Sequence, residues 1–322
     1  MSLSSPLHRA AHPQPLDSVT VYSSPMVIPV TGPVVLDGAV AVAGSRVVHV
    51  GTRRWVFNEL KHDMATNGRV VEHHWNGIIT PGLINAHTHL QYTDMAEVGR
   101  GTYDRFRAWE IGFNTVYAKL QETRPWKESA YRGARMMVRS GTTAAADIVT
   151  DPETVDALAS QGMHGIAYWE VMGWHNGDWK SEGIPELIDN LGHMHQEGLP
   201  SIGISPHAPY TLESGPFVDL PDIARQLDMR LHIHLAETPM EAGERDTTLT
   251  TYSAADWRDG QWASYKQLSA AGKGASAIQV VDQLGSLGPD VHIAHGVWAD
   301  AEDRRILRQR GVGVALCPRS NR

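Results

Sequence analysis

The chain has 322 residues, 42% of them hydrophobic and 20% charged, and a formal net charge of -8. That composition suits a well-cored globular protein and argues against a nucleic-acid-binding surface, since no long Lys/Arg run is present. With a single cysteine, Cys317, no intrachain disulfide can form and a reducing cytoplasm is the expected location; no apolar segment is long enough to span a membrane as a helix.

Residues 1–17 are rich in Ser, Pro and His without an apolar core, and read as a flexible tail rather than a secretory signal. Residues 18–80 are β-rich: the runs Val19-Tyr22, Met26-Val30, Ala39-Val42 and Arg46-Val50 are separated by Gly, Pro, Asp and Ser, and Val34-Gly38 adds a turn signal. A small, β-sandwich-like N-terminal domain is expected there. From Pro81 onward strands alternate with helical segments, the order that builds a parallel sheet. Strands are predicted at Leu83-Leu90, Thr142-Val149, Gly165-Val171, Ile202-Pro206, Leu231-Ala236, Val291-Gly296 and Gly313-Cys317. Helices are predicted at Trp126-Arg139, Pro152-Ala159, Ile184-Gln196, Leu220-Leu227, Ala275-Leu284 and Ala301-Gln309, with Asp151 and Asp300 as caps. The polar stretch Thr238-Ala271 reads as a long loop over a site. The fold class expected for residues 81–322 is an α/β (β/α)8 barrel of the TIM type whose eighth strand lies outside these residues.

In such barrels the chemistry sits at the C-terminal ends of the strands. Here those ends carry His87/His89, Asp147, Glu170, His207, His234/Glu237, His295 and Arg319/Asn321. His87 and His89 are two apart on a strand entered through Pro81-Gly82, so their side chains point to one face, where two imidazoles can share a divalent metal. His232 lies on the same face as His234 but deeper, and reads as barrel packing. Asp147 and Glu170 read as structural, and His193 and His195 as solvated helical residues.

Five motifs carry a resemblance: His87-Thr88-His89, Ser205-Pro206-His207-Ala208-Pro209-Tyr210, His234-Leu235-Ala236-Glu237, His292-Ile293-Ala294-His295-Gly296 and Cys317-Pro318-Arg319-Ser320-Asn321. In this order the chain resembles the amidohydrolase superfamily, in its branch of metal-dependent purine and nucleoside deaminases. The resemblance implies His87, His89 and His234 as ligands of one metal ion, zinc in preference to iron. It implies Glu237 as the proton shuttle, His295 as the group that orients the attacking water, and His207 facing the substrate. No lysine ends the fourth strand, which argues against a two-metal site bridged by a carboxylated lysine. The family also carries a metal-binding Asp on the eighth strand; it lies outside these residues, so a longer parent protein is expected and activity of the 322 residues alone is doubtful.

The loops choose the substrate. His87-Asp94, Thr102-Trp109 and Cys317-Asn321 look most like the aminodeoxyfutalosine deaminases of bacterial menaquinone synthesis. That resemblance implies a purine nucleoside substrate bearing a benzoate, with Arg105, Arg107 or Arg319 as its partner. Ser320 and Asn321 would contact the substrate, and Trp109 and Phe106 would either wall the pocket or pack in the core. A homodimer, and no nucleic-acid or membrane partner, are also implied. Alternatives are a methylthioadenosine, S-adenosylhomocysteine or adenosine deaminase, a chlorohydrolase-like enzyme, and a catalytically silent barrel serving as a binding or assembly subunit.

Overall fold

The computed structural model describes residues 8–9, 15–104, 106–194, 201–239, 241–242 and 275–320. The chain divides into two compact units, Met1–Gly82 and Leu83–Arg322. No helix among the described residues is long and apolar enough to cross a membrane.

The first unit is a single six-stranded sheet in the order β1-β4-β3-β2-β5, with β6 also pairing β2. Its strands are β1 (His8–Arg9), β2 (Leu16–Val27), β3 (Val35–Ala43), β4 (Arg46–Thr52), β5 (Met64–His74) and β6 (Ile78–Ile79). Two of the predicted runs merge into the long β2, and the predicted turn at Val34-Gly38 is instead mostly strand, with Leu36 and Val35 paired to Met26 and Val27. One side of the sheet is covered by a helix, Arg53–Asp63, where the sequence suggested a second sheet. Thr52 caps this helix by accepting from the Trp55 amide, and Val56 and Leu60, one turn apart, bury against Val19, Val21, Ala39, Ala41 and Val48. Trp55 and Phe57 pack half-buried beside them, and the consecutive Trp55-Val56-Phe57 run masks the helical period in the sequence. Leu16 and Asp17, which composition assigned to the tail, open β2.

The second unit is a seven-stranded parallel sheet whose spatial order follows the chain, β7 (Leu83–Thr88), β8 (Thr142–Val149), β9 (His164–Val171), β10 (Ser201–Pro206), β11 (Leu231–Leu235), β12 (Val291–His295) and β13 (Gly313–Ala315). All seven fall where the sequence placed them. β7 and β11 are four strands apart, roughly 19 Å in a flat sheet at about 4.8 Å per strand. Yet the rings of His87 and His234 lie 4.8 Å apart, so the sheet curls into a barrel and its strand ends meet. Side chains of β9–β12 such as Ala167, Ile204, Leu231, Ile233 and Ile293 form the main core with helices Ile184–Met194, Ser214–Gln226 and Ala277–Gln283.

Helix Trp126–Arg139 buries Trp126, Ser129, Ala130, Gly133 and Ala134, the i, i+3, i+4, i+7, i+8 stripe of a surface helix. Its small residues let it lie close against the turn Leu90–Met95, which follows His89 directly. Helix Ala301–Arg310 starts at a full capping box between Asp300 and Asp303. The segment after Asp151 forms two 3-10 turns, Pro152–Ala157 and Ala159–Gln161, instead of one helix. Helix Ser214–Gln226 starts six residues before the expected Leu220 and carries Pro221 inside it, which is why the sequence placed its start late. A helix absent from the sequence reading, Phe106–Gln121, packs Trp109, Phe113 and Tyr117 against Met95, Val98 and Trp126.

One close approach has a measurable consequence. Gly165 on β9 pairs with Ala145 on β8 at a φ of 149°, and a Cβ there would stand 2.0 Å from the Ala145 carbonyl oxygen. Gly165→Ala is expected to cost about 2 kcal/mol or more, a fall of about 4–8 °C in melting temperature by calorimetry.

Candidate metal centre

The end of β7 delivers the first two imidazoles. His87 lies within the strand and His89 one residue past it, and their rings sit 5.1 Å apart. β11 delivers His234 from across the barrel, with its Nε2 3.2 Å from His89 Nε2. Donor atoms of His87, His89 and His234 all lie within 4.8 Å of one another.

The spacing of these nitrogens suits a metal ion. Nitrogens bound at 2.0–2.1 Å to a tetrahedral ion lie about 3.3 Å apart, close to the separation of the two Nε2 atoms. His234 Nδ1 is 3.0 Å from the His207 carbonyl oxygen. A carbonyl only accepts, so Nδ1 carries the hydrogen and Nε2 presents its lone pair to the centre. His87 Nδ1 shares a hydrogen bond of 2.9 Å with His232 Nε2, their rings stacked at 5.0 Å. His89 Nδ1 is buried with no hydrogen-bond partner among the described residues. Burial, reinforced by neighbouring imidazoles, pushes the pKa of His87 and His234 well below the ordinary range and that of His89 down to about 3. All three are therefore held neutral, the form that ligates. These residues fit a divalent cation.

Around this triad stand four further groups. Glu237, just past β11, has Oε2 accepting from the Tyr210 hydroxyl at 2.9 Å and Oε1 3.4 Å from His295 Nε2. His295 ends β12 at a φ of 79°, a conformation rarely adopted outside glycine, and its ring lies 5.4 Å from that of His87. His207, past β10, hydrogen-bonds Thr211 through Nδ1 at 2.7 Å, and burial next to His295 lowers its pKa to about 4. Glu170, at the end of β9, is buried with Oε1 3.9 Å from both His207 and His234, forming with them a second cluster of donor atoms. Its burial, with Glu237 nearby, pushes its pKa up to about 8.

The structure thus brings together His87, His89, His234, Glu237, His295 and His207. It does not bring Trp109 to them: that ring packs between Phe106 and Phe113, 5.3 and 5.4 Å away. Arg319 and Ser320 lie exposed on the turn after β13. Asn321, Arg105 and most of the loop 238–271 fall outside the described residues, as does the side chain of Arg107. His232, read as packing, is fully buried and also holds the His87 ring.

Sequence reasoning missed or undervalued Glu170, Tyr210 and Glu241. Tyr210 sits three residues after His207 and Glu241 four after Glu237, spacings that return a side chain to its own turn, but nothing in composition marks them. Glu170 and Tyr92 also line a cavity of about 350 Å³ whose walls include Phe113, Tyr117, Trp169 and Trp174. Tyr92 stacks on His89 at 5.6 Å, so the cavity adjoins the histidine cluster. Its acidic lining residues are Glu170 and Glu186, and no lysine or arginine among the described residues lines it.

The family profile described as "Amidohydrolase family" matches residues 78–322. A 5-methylthioadenosine/S-adenosylhomocysteine deaminase of Thermococcus kodakarensis is 28% identical over 249 residues, 76% of this chain and 52% of that protein. A 5'-deoxyadenosine deaminase of Methanosphaera stadtmanae is 24% identical over 272 residues, 82% of this chain and 57% of that protein. The chain therefore spans between half and about three-fifths of the length of these curated relatives. Two solved structures share the fold. One is an adenosine deaminase from Xanthomonas campestris with bound zinc (TM-score 0.69, 22% identity, 96% of this chain and 64% of that one). The other is a Helicobacter pylori aminofutalosine deaminase in complex with methylthio-coformycin (TM-score 0.70, 16% identity, 94% and 71%). By its profile match and its parallel barrel, the chain belongs to the amidohydrolase family.

Proposed function

We propose that this protein is a metal-dependent hydrolytic deaminase that converts a 6-aminopurine nucleoside to its 6-oxo form. The observation that carries the proposal is the convergence of His89 and His234 on one point, beside a carboxylate, Glu237, held between Tyr210 and His295. His87, His89 and His234 would hold one divalent ion, zinc in preference to iron. Such an ion lowers the pKa of a water it binds from about 15.7 to near 7.

The chain's own residues account for the proton traffic. Glu237 takes one proton of the attacking water to the ring nitrogen beside the reacting carbon, and then carries the second, from the hydroxyl of the tetrahedral adduct, to the amine, which leaves as ammonia when its C–N bond breaks. His295 orients the water and steadies Glu237 from 3.4 Å. The Tyr210 hydroxyl, kept protonated by burial and by Glu237, donates to the far carboxylate oxygen, leaving the near one free to work. His207 faces the substrate, and burial keeps it neutral.

The cavity refines the substrate. A benzoate, as in aminodeoxyfutalosine, would meet no described cation there, whereas a neutral apolar 5' group would meet four aromatic walls and Tyr92. This favours a methylthioadenosine-like substrate over aminodeoxyfutalosine and hence over a role in menaquinone synthesis; the names of the relatives point the same way. A homodimer in the cytoplasm remains part of the proposal. The test is ammonia release by the full-length protein, with metal measured on the same sample, from methylthioadenosine, S-adenosylhomocysteine, adenosine and aminodeoxyfutalosine. About one metal per chain with methylthioadenosine preferred is expected. Preference for aminodeoxyfutalosine would sink the cavity argument but keep the chemistry; no metal and no turnover would leave a silent scaffold.

A further inference from the structure

Strand β11 leaves the barrel through Ala236, Glu237 and Thr238, and this turn is built unusually. Ala236 has a φ of 54°, in the left-handed region that a residue with a Cβ seldom enters. As a result three consecutive amides point the same way, into one concavity. Such a row of N–H groups is an anion-binding nest. Here the anion is the chain's own: Glu241 Oε1 accepts from the Ala236 amide at 2.9 Å, and Oε2 accepts from the amides of Glu237 and Thr238 at 2.8 and 2.9 Å. The Thr238 hydroxyl adds a contact at 3.3 Å, and the Glu241 amide donates back to the Thr238 carbonyl. The residue is 1% exposed. Next door, the amides of Gly296 and Trp298 donate to the carbonyls of Leu235 and Ala236, tying the turn to the one that carries His295.

We propose that Glu241 is a positioning residue for the deamination reaction: its carboxylate, seated in the nest of the Ala236, Glu237 and Thr238 amides, fixes the turn that aims Glu237 at Tyr210 and His295. The inference rests on the functional reading above, because it gives Glu237 its task. A carboxylate is required by the donor count. Two oxygens serve three amides and a hydroxyl, whereas an amide side chain offers one oxygen and would turn an NH2 group toward an N–H. Freed from the nest, Ala236 relaxes out of the left-handed region and swings Glu237 with it. A displacement on the order of 1 Å at a reacting group costs about 10²-fold in rate.

The experiment compares full-length wild type, Glu241→Gln, Glu237→Gln and the double variant. It reads metal content, KM and kcat on the best nucleoside of the panel, and hydrogen exchange at the three amides. Glu241→Gln is expected to keep its metal and its KM within about threefold, to lose about 10²-fold in kcat, and to exchange faster at Ala236, Glu237 and Thr238 only. The double variant is expected to be no slower than Glu237→Gln alone, as residues acting through one another are not additive. Should Glu241→Gln fail to accumulate folded, Glu241→Asp replaces it; it keeps the charge on a shorter arm, and about a tenfold loss of kcat is expected. A working wild type with unimpaired kcat in the variant, or losses that multiply in the double variant, overturns the positioning role alone. A wild type that turns over none of the nucleosides overturns the functional reading and the positioning role with it.

Discussion

Glu237→Gln is expected to cut turnover about 10²–10⁴-fold while leaving metal and fold in place. The carboxylate, held between Tyr210 and His295, can both accept a proton and return it, and general acid–base catalysis of this kind contributes about 10²–10⁴-fold. It is not among the donor atoms that cluster with His87, His89 and His234, so metal content should not move. Gln keeps an oxygen for the Tyr210 hydroxyl, which now holds Oε2 at 2.9 Å, so the local structure should survive. The check is kcat and metal per chain on the same preparation. Turnover above a tenth of wild type would remove Glu237 from the proton relay.

His234→Ala is expected to lose the metal itself. Its Nε2 faces His89 Nε2 at 3.2 Å and its Nδ1 is committed to the His207 carbonyl. On the proposed reading the ring is a ligand already oriented before any ion arrives. Loss of an outer hydrogen bond to a ligand typically costs about 10–100-fold in metal affinity. Loss of the ligand should exceed that, leaving the purified variant with well under one metal per chain by mass spectrometry and without turnover. The variant should still fold. Burial, reinforced by the neighbouring imidazoles, holds the cluster neutral, so removing one ring leaves a small cavity and no unpaired buried charge. A variant that retains full metal would show that His234 is a packing residue.

The barrel was legible because its strands are short apolar runs between Gly, Pro and Asp, and because polar residues collect at their ends. Those features survive in a linear reading since β-strand periodicity is local. The triad His87, His89 and His234 was legible for the same reason. The helix Arg53–Asp63 was not, because its Trp55-Val56-Phe57 run masks the helical period. Trp109 was ambiguous: a helical aromatic can wall a pocket or pack inward, and the structure places its ring between Phe106 and Phe113. Glu170 read as structural, since a carboxylate at the end of one strand says nothing of the imidazoles at the ends of the next two.

The sequence by itself determined which residues occupy strand ends and which face they share, because alternation along a strand and the order of parallel strands follow from the chain. What only the tertiary structure decided is which ends meet. His87 and His232, like His89 and His234, are 145 residues apart and touch because the sheet curls. Nor did the sequence reveal that Ala236 turns left-handed and that Glu241 fills the nest this creates. A left-handed turn outside glycine is imposed by the bonds that hold it, and those bonds exist only once the barrel is closed enough to bury them.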